Sequence, residues 1–403
     1  MNSLLLSGHG ISMTVDGGKL HVQNGHDANN PNPERYIFRP KYIDLDNIVV
    51  YGHSGNISID AIRWLVKQNV QLTFLNWDGR LLTNVLPIDI IHSNIKMAQY
   101  KAYENGQRVE IAKKFIDAKI KNSIVVLKWL GERYPDVIDK TKNLWDVMKK
   151  DWSFLPKART IREVMGCEGG FAQKYWSIIS SVIDERWEFE TRVFGKTIRP
   201  LGAVDPINAL FNYGYSILES RCWKALHSNG LDPNVGFLHE ANPSKAPLCY
   251  DMQEPFRWLV DVAVITGLEK KLFTNKDFVR TDNYIIRIRP NGVKKLMAEL
   301  NWQLSRTIKY RNRNEKWENI IVMKGQELGQ YIVGKRTVLD LSDPKPVLRR
   351  DDNEEMRRKI LDMTYTEWRK LGFNKSTLHY LKKHANEDKP FKIYDKVMSK
   401  LKE

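Results

Sequence analysis

The chain has 403 residues, of which 42% are hydrophobic and 28% are charged, so it is long enough for two or three domains with well-formed cores. This composition excludes a protein that is disordered over most of its length. Lys and Arg total 64 against 48 Asp and Glu, and the resulting net charge of +16 favours a polyanionic partner, nucleic acid first, over a generically basic soluble protein.

The cysteines argue against a disulfide framework. Cys167, Cys222 and Cys249 are few and unevenly spaced, and no Cys-x-x-Cys pair suggests a zinc knuckle. We interpret them as small buried side chains rather than as thiolate ligands. The sequence also has no signal peptide and no apolar run of about 18 residues. It therefore predicts a cytoplasmic protein without a membrane partner.

The first 90 residues predict a small β-rich domain. Segments with alternating or β-branched apolar residues are separated by turn signals, and only Asp60–Gln68 has the periodicity of a helix. The predicted strands are Leu4–Leu6, Ile11–Val15, Leu20–Gln23, Ile48–Tyr51, Val70–Leu75 and Leu81–Leu86.

Residues 91–337 predict a large α-helical domain, because 3.6-residue periodicity dominates this part of the chain. A short strand is predicted at Tyr284–Arg289. The predicted helices are Ile95–Asn105, Val109–Tyr134, Ile161–Ile183, Pro206–Ser228, Pro255–Leu272, Val293–Ile308 and Trp317–Val333.

The remaining residues predict a linker and a third domain. Residues 338–350 carry proline and charge without a usable period, which is typical of a linker. In residues 351–403, short helical patterns at Glu354–Asp362, Tyr365–Leu371 and Ser376–Ala385 have the spacing of a helix-turn-helix, whose second helix would enter the DNA major groove. The predicted fold class is thus α+β multidomain.

Glu168 occupies an apolar position of its predicted helix. Positions 161, 165, 168, 172, 175 and 179 form one stripe and read Ile, Met, Glu, Ala, Tyr and Ile. A buried carboxylate requires a cation, a hydrogen-bond network or a metal ion. A core glutamate paired with an arginine is the alternative.

A second cluster lies between Val235 and Val260, where His239, Asp251 and Glu254 fall within a short span. Asp251 and Glu254 share a face if a helix begins there, although the same spacing fits a helix capping box. Carboxylates suit Mg²⁺ and Mn²⁺, and an imidazole tilts the preference toward Mn²⁺. In a basic protein, such a set favours metal-assisted attack on a phosphodiester.

At these residues the chain resembles the CRISPR adaptation integrases, metal-dependent enzymes with an N-terminal β domain and a C-terminal α-helical domain. The resemblance extends over about residues 1–337. Four blocks carry it: EVMGCEGGFAQKYW at Glu163–Trp176, RPLGAVDPINALFNYGYSILES at Arg199–Ser220, GFLHEANPS at Gly236–Ser244 and LCYDMQEPFR at Leu248–Arg257.

The resemblance implies catalytic residues. It places the metal ligands at Glu168, His239 and Glu254, with Asp251 as the accompanying acidic residue. Glu254 stands where many members of the family have Asp, and its longer side chain could shift the metal. The site residues predicted in this way form a Mg²⁺ or Mn²⁺ centre.

The helix-turn-helix tail resembles that of casposases, the transposon-encoded relatives of the CRISPR enzymes. This resemblance implies an integrase that joins the 3′-OH ends of a mobile element to double-stranded target DNA. Because two ends must meet one target, it also implies a homo-oligomer, a dimer or a tetramer. A CRISPR adaptation integrase that inserts spacers, a metal-dependent DNA endonuclease and a non-catalytic DNA-binding protein are the alternatives.

Basic residues in three places are candidates for contacting DNA. For the first of these places, the segment Arg306–Lys316, a solvated basic face is the alternative. Tyr310 and Trp317 are possible stacking surfaces beside the first of these places. The DNA-binding candidates are Arg306, Lys309, Arg311 and Arg313 in one segment, Lys375, Thr377 and Lys382 in the tail, and Lys245 and Arg257 near the predicted metal site.

Overall fold

The structure is a computed structural model that describes residues 2–26, 32–52, 54–76, 78–86, 93–136, 142–192, 202–240, 246–348 and 354–386, together with 397, 400 and 401. The N-terminal part contains one helix, α1, at Ile59–Lys67. Its strands are β1 (Asn2–Gly8), β2 (Ile11–Asp16), β3 (Lys19–Gln23), β4 (Arg35–Phe38), β5 (Leu45–Gly52), β6 (Gly55–Ile57), β7 (Gln71–Leu75) and β8 (Leu81–Val85).

These strands form two four-stranded sheets. In the first sheet, of order β1-β5-β7-β8, the first three strands are parallel and β8 is antiparallel to β7. The second sheet has the order β4-β3-β2-β6. The six predicted strands and the helix are therefore confirmed, whereas β4 and β6 were not predicted. Both are short, and no residue of either is fully buried, so neither has a strong apolar pattern.

Strand β5 of the first sheet is buried on both faces, which explains its continuous apolar run. Alternate residues point to opposite sides of a strand. Ile48 and Val50 join a core formed with α1 and the second sheet. Val49 and Tyr51 join the core of the helical part. The β-rich part is thus packed directly on the helices.

The helical part begins at residue 93. Among the described residues, four short strands accompany its helices: β9 (Phe278–Arg280) pairs with β10 (Ile286–Ile288), and β11 (Thr307–Tyr310) pairs with β12 (Arg313–Lys316). The helices are α2 (Ser93–Glu104), α3 (Gln107–Arg133), α4 (Lys142–Phe154), α5 (Ile161–Val182), α6 (Pro206–His227), α7 (Pro247–Gln253), α8 (Arg257–Glu269), α9 (Pro290–Ser305) and α10 (Trp317–Ile332).

The seven predicted helices are present, with two corrections. The helix predicted at Pro255–Leu272 begins only at Arg257, after a 3-10 turn at Glu254–Phe256, and α7 precedes it. Pro255 lacks a backbone N–H, which favours an interruption of the helical hydrogen bonds there. The helix predicted to reach Ile308 ends at Ser305, because Thr307–Tyr310 pairs with β12 instead. Helix α4 was not predicted.

The tail contains α11 (Glu354–Asp362), α12 (Tyr365–Lys370) and α13 (Lys375–Asn386), close to the three predicted segments. Trp368, Leu378, Leu381 and Ala385 are buried together, and Leu371 packs beside them. Gly372 has a φ of +83° in the tight turn between α12 and α13. Its lack of a Cβ makes this conformation accessible.

The described part of the predicted linker lies against the helical part. Leu339 and Leu341 are buried in its core. Lys324 on α10 donates to the Asp340 carbonyl at 2.6 Å, and Arg306 donates to the Val347 carbonyl at 2.9 Å. The predicted domain boundaries at residues 90, 337 and 350 stay predictions. No helix among the described residues is long and apolar enough to cross a membrane.

Candidate active site

Glu168 on α5 and Glu254 in the 3-10 turn before α8 come together at a single lysine. Lys119, on α3, donates a hydrogen bond to Glu168 Oε1 on α5, and its Nζ lies 2.7 Å from Glu254 Oε2. The side chain of Glu254 is 4% exposed, whereas that of Glu168 is 26% exposed. One ammonium thus bridges two of the three predicted metal ligands.

Glu254 is held by a second cation on its other side. Arg257 Nε lies 3.1 Å from Glu254 Oε1, and the Arg257 guanidinium stacks over the Tyr215 ring at 4.7 Å. Burial by itself would raise the pKa of Glu254, but Arg257 and then Lys119 lower this pKa to about 2. The carboxylate is therefore ionised at neutral pH.

Asp251 orients His239. One carboxylate oxygen accepts hydrogen bonds from the backbone N–H groups of Phe237 at 2.5 Å and Leu238 at 3.0 Å. The other oxygen lies 3.0 Å from the His239 backbone nitrogen and 2.7 Å from His239 Nδ1. Asp251 is fully buried. It fixes the loop and the ring, and it leaves Nε2 of the imidazole as the nitrogen that can face a ligand.

Two opposing effects act on the pKa of His239. Burial lowers this pKa, but the hydrogen bond to Asp251, the charge of Asp251 and the charge of Glu254 together raise it above its ordinary value. The influence of Glu254 on the ring links this imidazole to the pair of glutamates. A carboxylate that accepts from one ring nitrogen while the other faces a metal is the usual arrangement of a ligating histidine.

The donor chemistry of these residues fits a divalent metal. Glu254 Oε2 is buried and accepts no hydrogen bond within the described residues, yet it contacts a cation. Across the described part of the chain, however, no three His, Cys, Asp or Glu side chains are grouped closely enough to hold a metal ion in their present positions. Lys119 lies between two of the predicted ligands, so the three-ligand site stays a prediction.

The structure corrects the predicted surroundings of Glu168. Its helix buries Val164, Phe171, Tyr175, Ile178 and Ile179, while Met165 is 47% exposed. Glu168 therefore lies at the edge of the buried face and not within it. The alternative of an arginine partner is also wrong in its detail, because the partner is Lys119.

The capping-box alternative for Asp251 and Glu254 is wrong. Asp251 lies in the last turn of α7 and accepts its hydrogen bonds from residues 237–239. Glu254 begins the following 3-10 turn, and α8 has no side-chain cap. Both carboxylates are directed at tertiary partners.

Sequence reasoning missed Lys119, although a signal was present. Phe115, Lys119, Asn122 and Val126 follow one another at helical spacing, and the other three are buried. A lysine within such a stripe requires an acidic partner, just as Glu168 requires a cation. Asn122 supports this position, because it donates to the Pro255 carbonyl at 2.8 Å and so fixes α3 against the turn that carries Glu254.

The basic segment after α9 forms a β-hairpin. Arg311 and Asn312 have φ values of +47° and +64°, as in the two-residue turns that match strand twist. Lys309 and Arg313 are exposed on this hairpin. Arg306 is directed at the Val347 carbonyl, and Arg311 Nη2 lies 2.5 Å from Glu327 Oε1.

The prediction that Tyr310 and Trp317 offer stacking surfaces is wrong. Tyr310 is 4% exposed and Trp317 is 1% exposed, so neither ring is available to a base. The Tyr310 hydroxyl donates to Glu327, which anchors the hairpin to α10.

The remaining DNA-binding candidates are divided between surface and interior. Lys375 is exposed at the start of α13, and Thr377 lies beside it with its backbone N–H bonded to Asn374 Oδ1 at 2.9 Å. The Lys382 ammonium donates to the Leu361 carbonyl at 2.8 Å, so it is engaged within the tail. Arg257 is engaged by Glu254, and Lys245 lies outside the described residues.

Comparison with known proteins places this chain in a family. Residues 4–301 match the family described as CRISPR associated protein Cas1. The chain belongs to the Cas1 family. The CRISPR-associated endonuclease Cas1 1 of Archaeoglobus fulgidus is 30% identical over 349 residues, which cover 83% of this chain and 97% of that protein. The Methanospirillum hungatei Cas1 1 endonuclease is 27% identical over 82% of this chain and 96% of its own length.

Among solved structures, a casposase bound to integration product is similar to this Cas1-family chain. It is 42% identical with a TM-score of 0.81, and the match covers 91% of this chain and all of that one. The Cas1 protein of Thermotoga maritima, at 18% identity and a TM-score of 0.64, shares the fold over 83% of this chain and 97% of its own. The resemblance predicted from the sequence is confirmed, and these similarities indicate a DNA-joining or DNA-cleaving enzyme.

Proposed function

We propose that this protein is a metal-dependent DNA integrase that joins 3′-OH ends of a mobile element to target DNA. The observation that carries the proposal is the convergence of Glu168 and Glu254 on one cation position, beside an imidazole oriented by Asp251. Carboxylates from two segments distant in the sequence are not brought together at a cation by packing alone, because their burial is unfavourable.

We assign the ligand roles to Glu168, His239 and Glu254, as the family resemblance implies. The two glutamates supply carboxylate oxygens, and His239 supplies Nε2, since Nδ1 is engaged by Asp251. Oxygen donors with one imidazole favour Mg²⁺ or Mn²⁺. A bound divalent ion would lower the pKa of an attacking hydroxyl and stabilise the charge that develops on the phosphate.

The protein's own residues prepare the site in three ways. Asp251 fixes the tautomer and direction of His239 through its hydrogen bond to Nδ1. Arg257 keeps Glu254 ionised despite its burial, by its ion pair with Oε1. Asn122 holds α3 against the turn at Glu254–Phe256, which fixes the position of Lys119 relative to Glu254.

We further propose that the hairpin β11–β12 and the tail bind the DNA backbone. Lys309, Arg313 and Lys375 are exposed and carry no acidic partner that would neutralise them in the described contacts. In the tail, α12 and α13 with the turn at residues 371–374 are proposed to act as a helix-turn-helix. Joining two ends to one target requires two sites, so we propose a dimer or a tetramer on DNA.

The test uses labelled duplex DNA with a free 3′-OH, a target plasmid and Mn²⁺ or Mg²⁺. Wild-type protein should produce joined products, whereas Glu168→Gln and His239→Ala should lose joining by at least about a hundredfold and still bind DNA. An end that carries a 3′-dideoxy nucleotide should not be joined. Joining by the variants, or of the blocked end, would contradict the proposal.

A second candidate is a DNA endonuclease, because several relatives carry that description. The same residues could direct water instead of a 3′-OH at the phosphate. Release of cut DNA without joined products, lost in Glu168→Gln, would identify this activity in place of integration.

A further inference from the structure

Lys119 occupies the space between the two glutamates. Its side chain is 14% exposed, and its ammonium contacts Glu168 Oε1 and Glu254 Oε2. It extends from the middle of α3, a 27-residue helix, where Asn122 one turn later binds the Pro255 carbonyl. The position of Lys119 is therefore set by the helix packing that also sets the position of Glu254.

The charge balance of this site depends on Lys119. Glu254 has Arg257 on one oxygen and Lys119 on the other, while the ion pair that the structure gives Glu168 is with Lys119. Removing one partner of a buried ion pair leaves an uncompensated charge, which is strongly unfavourable. Without the ammonium, the two carboxylates would repel each other across the same gap.

A divalent ion and this ammonium cannot both occupy the gap. Mg²⁺ or Mn²⁺ lies at roughly 2.1 Å from carboxylate oxygens. A nitrogen 2.7 Å from Glu254 Oε2 and also in contact with Glu168 would fall within contact distance of such an ion. Two positive charges at that separation repel each other strongly in a partly buried site.

We infer that Lys119 is an exchangeable counter-ion of the metal site. It holds Glu168 and Glu254 together in the metal-free protein, and it leaves the gap when a divalent ion binds. Its displacement opposes binding, so Lys119 weakens metal affinity while it stabilises the metal-free fold. This inference rests on the proposed metal ligands and adds a residue that regulates their occupancy.

The experiment compares Mn²⁺ binding and thermal unfolding of the full-length wild type with Lys119→Met and Lys119→Gln. Calorimetric titration should show Mn²⁺ binding about tenfold tighter in both variants, because no ammonium has to be displaced. The metal-free variants should melt at a lower temperature than the wild type, and Mn²⁺ should raise their melting temperature by more. The glutamine variant keeps a polar group and covers the case in which the methionine variant does not fold.

Lys121→Met is the matched control. Lys121 lies two residues away on the same helix and pairs with Asp117. Its loss should leave Mn²⁺ affinity unchanged. Mn²⁺ binding by both Lys119 variants that is equal to or weaker than that of the wild type would overturn the inference. If the wild type binds Mn²⁺ and Glu168→Gln abolishes this binding, the proposed function would still stand. Absence of Mn²⁺ binding in the wild type would instead overturn the proposed site itself, and the inference with it.

Discussion

Arg358 binds Glu299 with both terminal nitrogens of its guanidinium. The two N–O distances are 2.5 and 2.7 Å, and the Glu299 side chain is 4% exposed on α9. The same guanidinium lies over the Trp302 ring at 4.8 Å. Because Arg358 belongs to α11, this bidentate pair docks the tail on the helical part of the protein.

We expect Arg358→Met to detach α11 from α9. The change would leave the buried Glu299 with Lys270 at 3.6 Å as its remaining cation in the described contacts, at a local cost of ~2–4 kcal/mol. Amide hydrogen exchange in residues 354–362 should accelerate accordingly. Arg369→Met, an exposed change on α12, is the control and should leave this exchange as in the wild type. Unchanged protection in Arg358→Met would show that the tail is docked by other contacts.

Asp251→Asn should impair both stability and joining. An amide cannot accept from all of the backbone N–H groups and the imidazole that now surround the carboxylate, so we expect a loss of ~2–4 kcal/mol in the free energy of unfolding. Mn²⁺ affinity should fall by about 10- to 100-fold, because His239 would lose its orienting partner. Urea unfolding and calorimetric titration measure the two effects.

His239→Ala separates these two roles of Asp251. It keeps the backbone hydrogen bonds to the carboxylate, so its stability should fall by less than that of Asp251→Asn, although its joining should be lost as fully. If His239→Ala proved the more destabilised protein, the orienting role assigned to Asp251 would not hold.

Lys309→Ala and Arg313→Ala on the hairpin β11–β12 should each weaken duplex DNA binding. Each lost phosphate contact should reduce the slope of log affinity against log salt by about 1. Binding measured between low and physiological salt checks this expectation. Asn314→Ala, an exposed neutral change on the same hairpin, should leave the slope unchanged. If the slope of log affinity against log salt is the same in all three variants and in the wild type, the hairpin is a solvated surface that does not contact DNA.

Lys375→Ala combined with Lys383→Ala should weaken DNA binding by the tail, since both lysines are exposed on α13. Lys382→Ala should instead lower the stability of the tail, because its ammonium binds the Leu361 carbonyl. Point variants are preferable to a deletion, which would also expose Glu299 and Trp302. DNA affinity against salt and the thermal unfolding of each variant distinguish the two effects. A Lys382→Ala variant with normal stability and weakened DNA binding would reverse the two assignments.

Much of the fold could be predicted from local pattern. The run of apolar residues in β5 and the 3.6-residue stripe of α5 each indicate an element without knowledge of its neighbours. The elements that were missed, such as β6 and the hairpin β11–β12, have mostly polar or partly exposed residues, so burial does not mark them in the sequence.

The sequence offered candidate ligands for the site but not their surroundings. Glu168, His239, Asp251 and Glu254 were selected because carboxylates and an imidazole stand out among apolar residues and match the motifs of a family. Tyr310 and Trp317 were misjudged, because an aromatic residue beside basic residues looks the same in sequence whether its ring is buried or exposed.

The sequence by itself thus determined the helices and strands that have a clear apolar pattern, since these depend on side-chain type and spacing along the chain, and it selected the acidic candidates for the site. Only the tertiary structure decided that Lys119 lies between Glu168 and Glu254 and that Arg358 binds Glu299. Long cationic side chains can reach many partners. The packing of distant helices selects the ion-pair partner, because it fixes the position of each ammonium or guanidinium and the buried charge that lies within its reach.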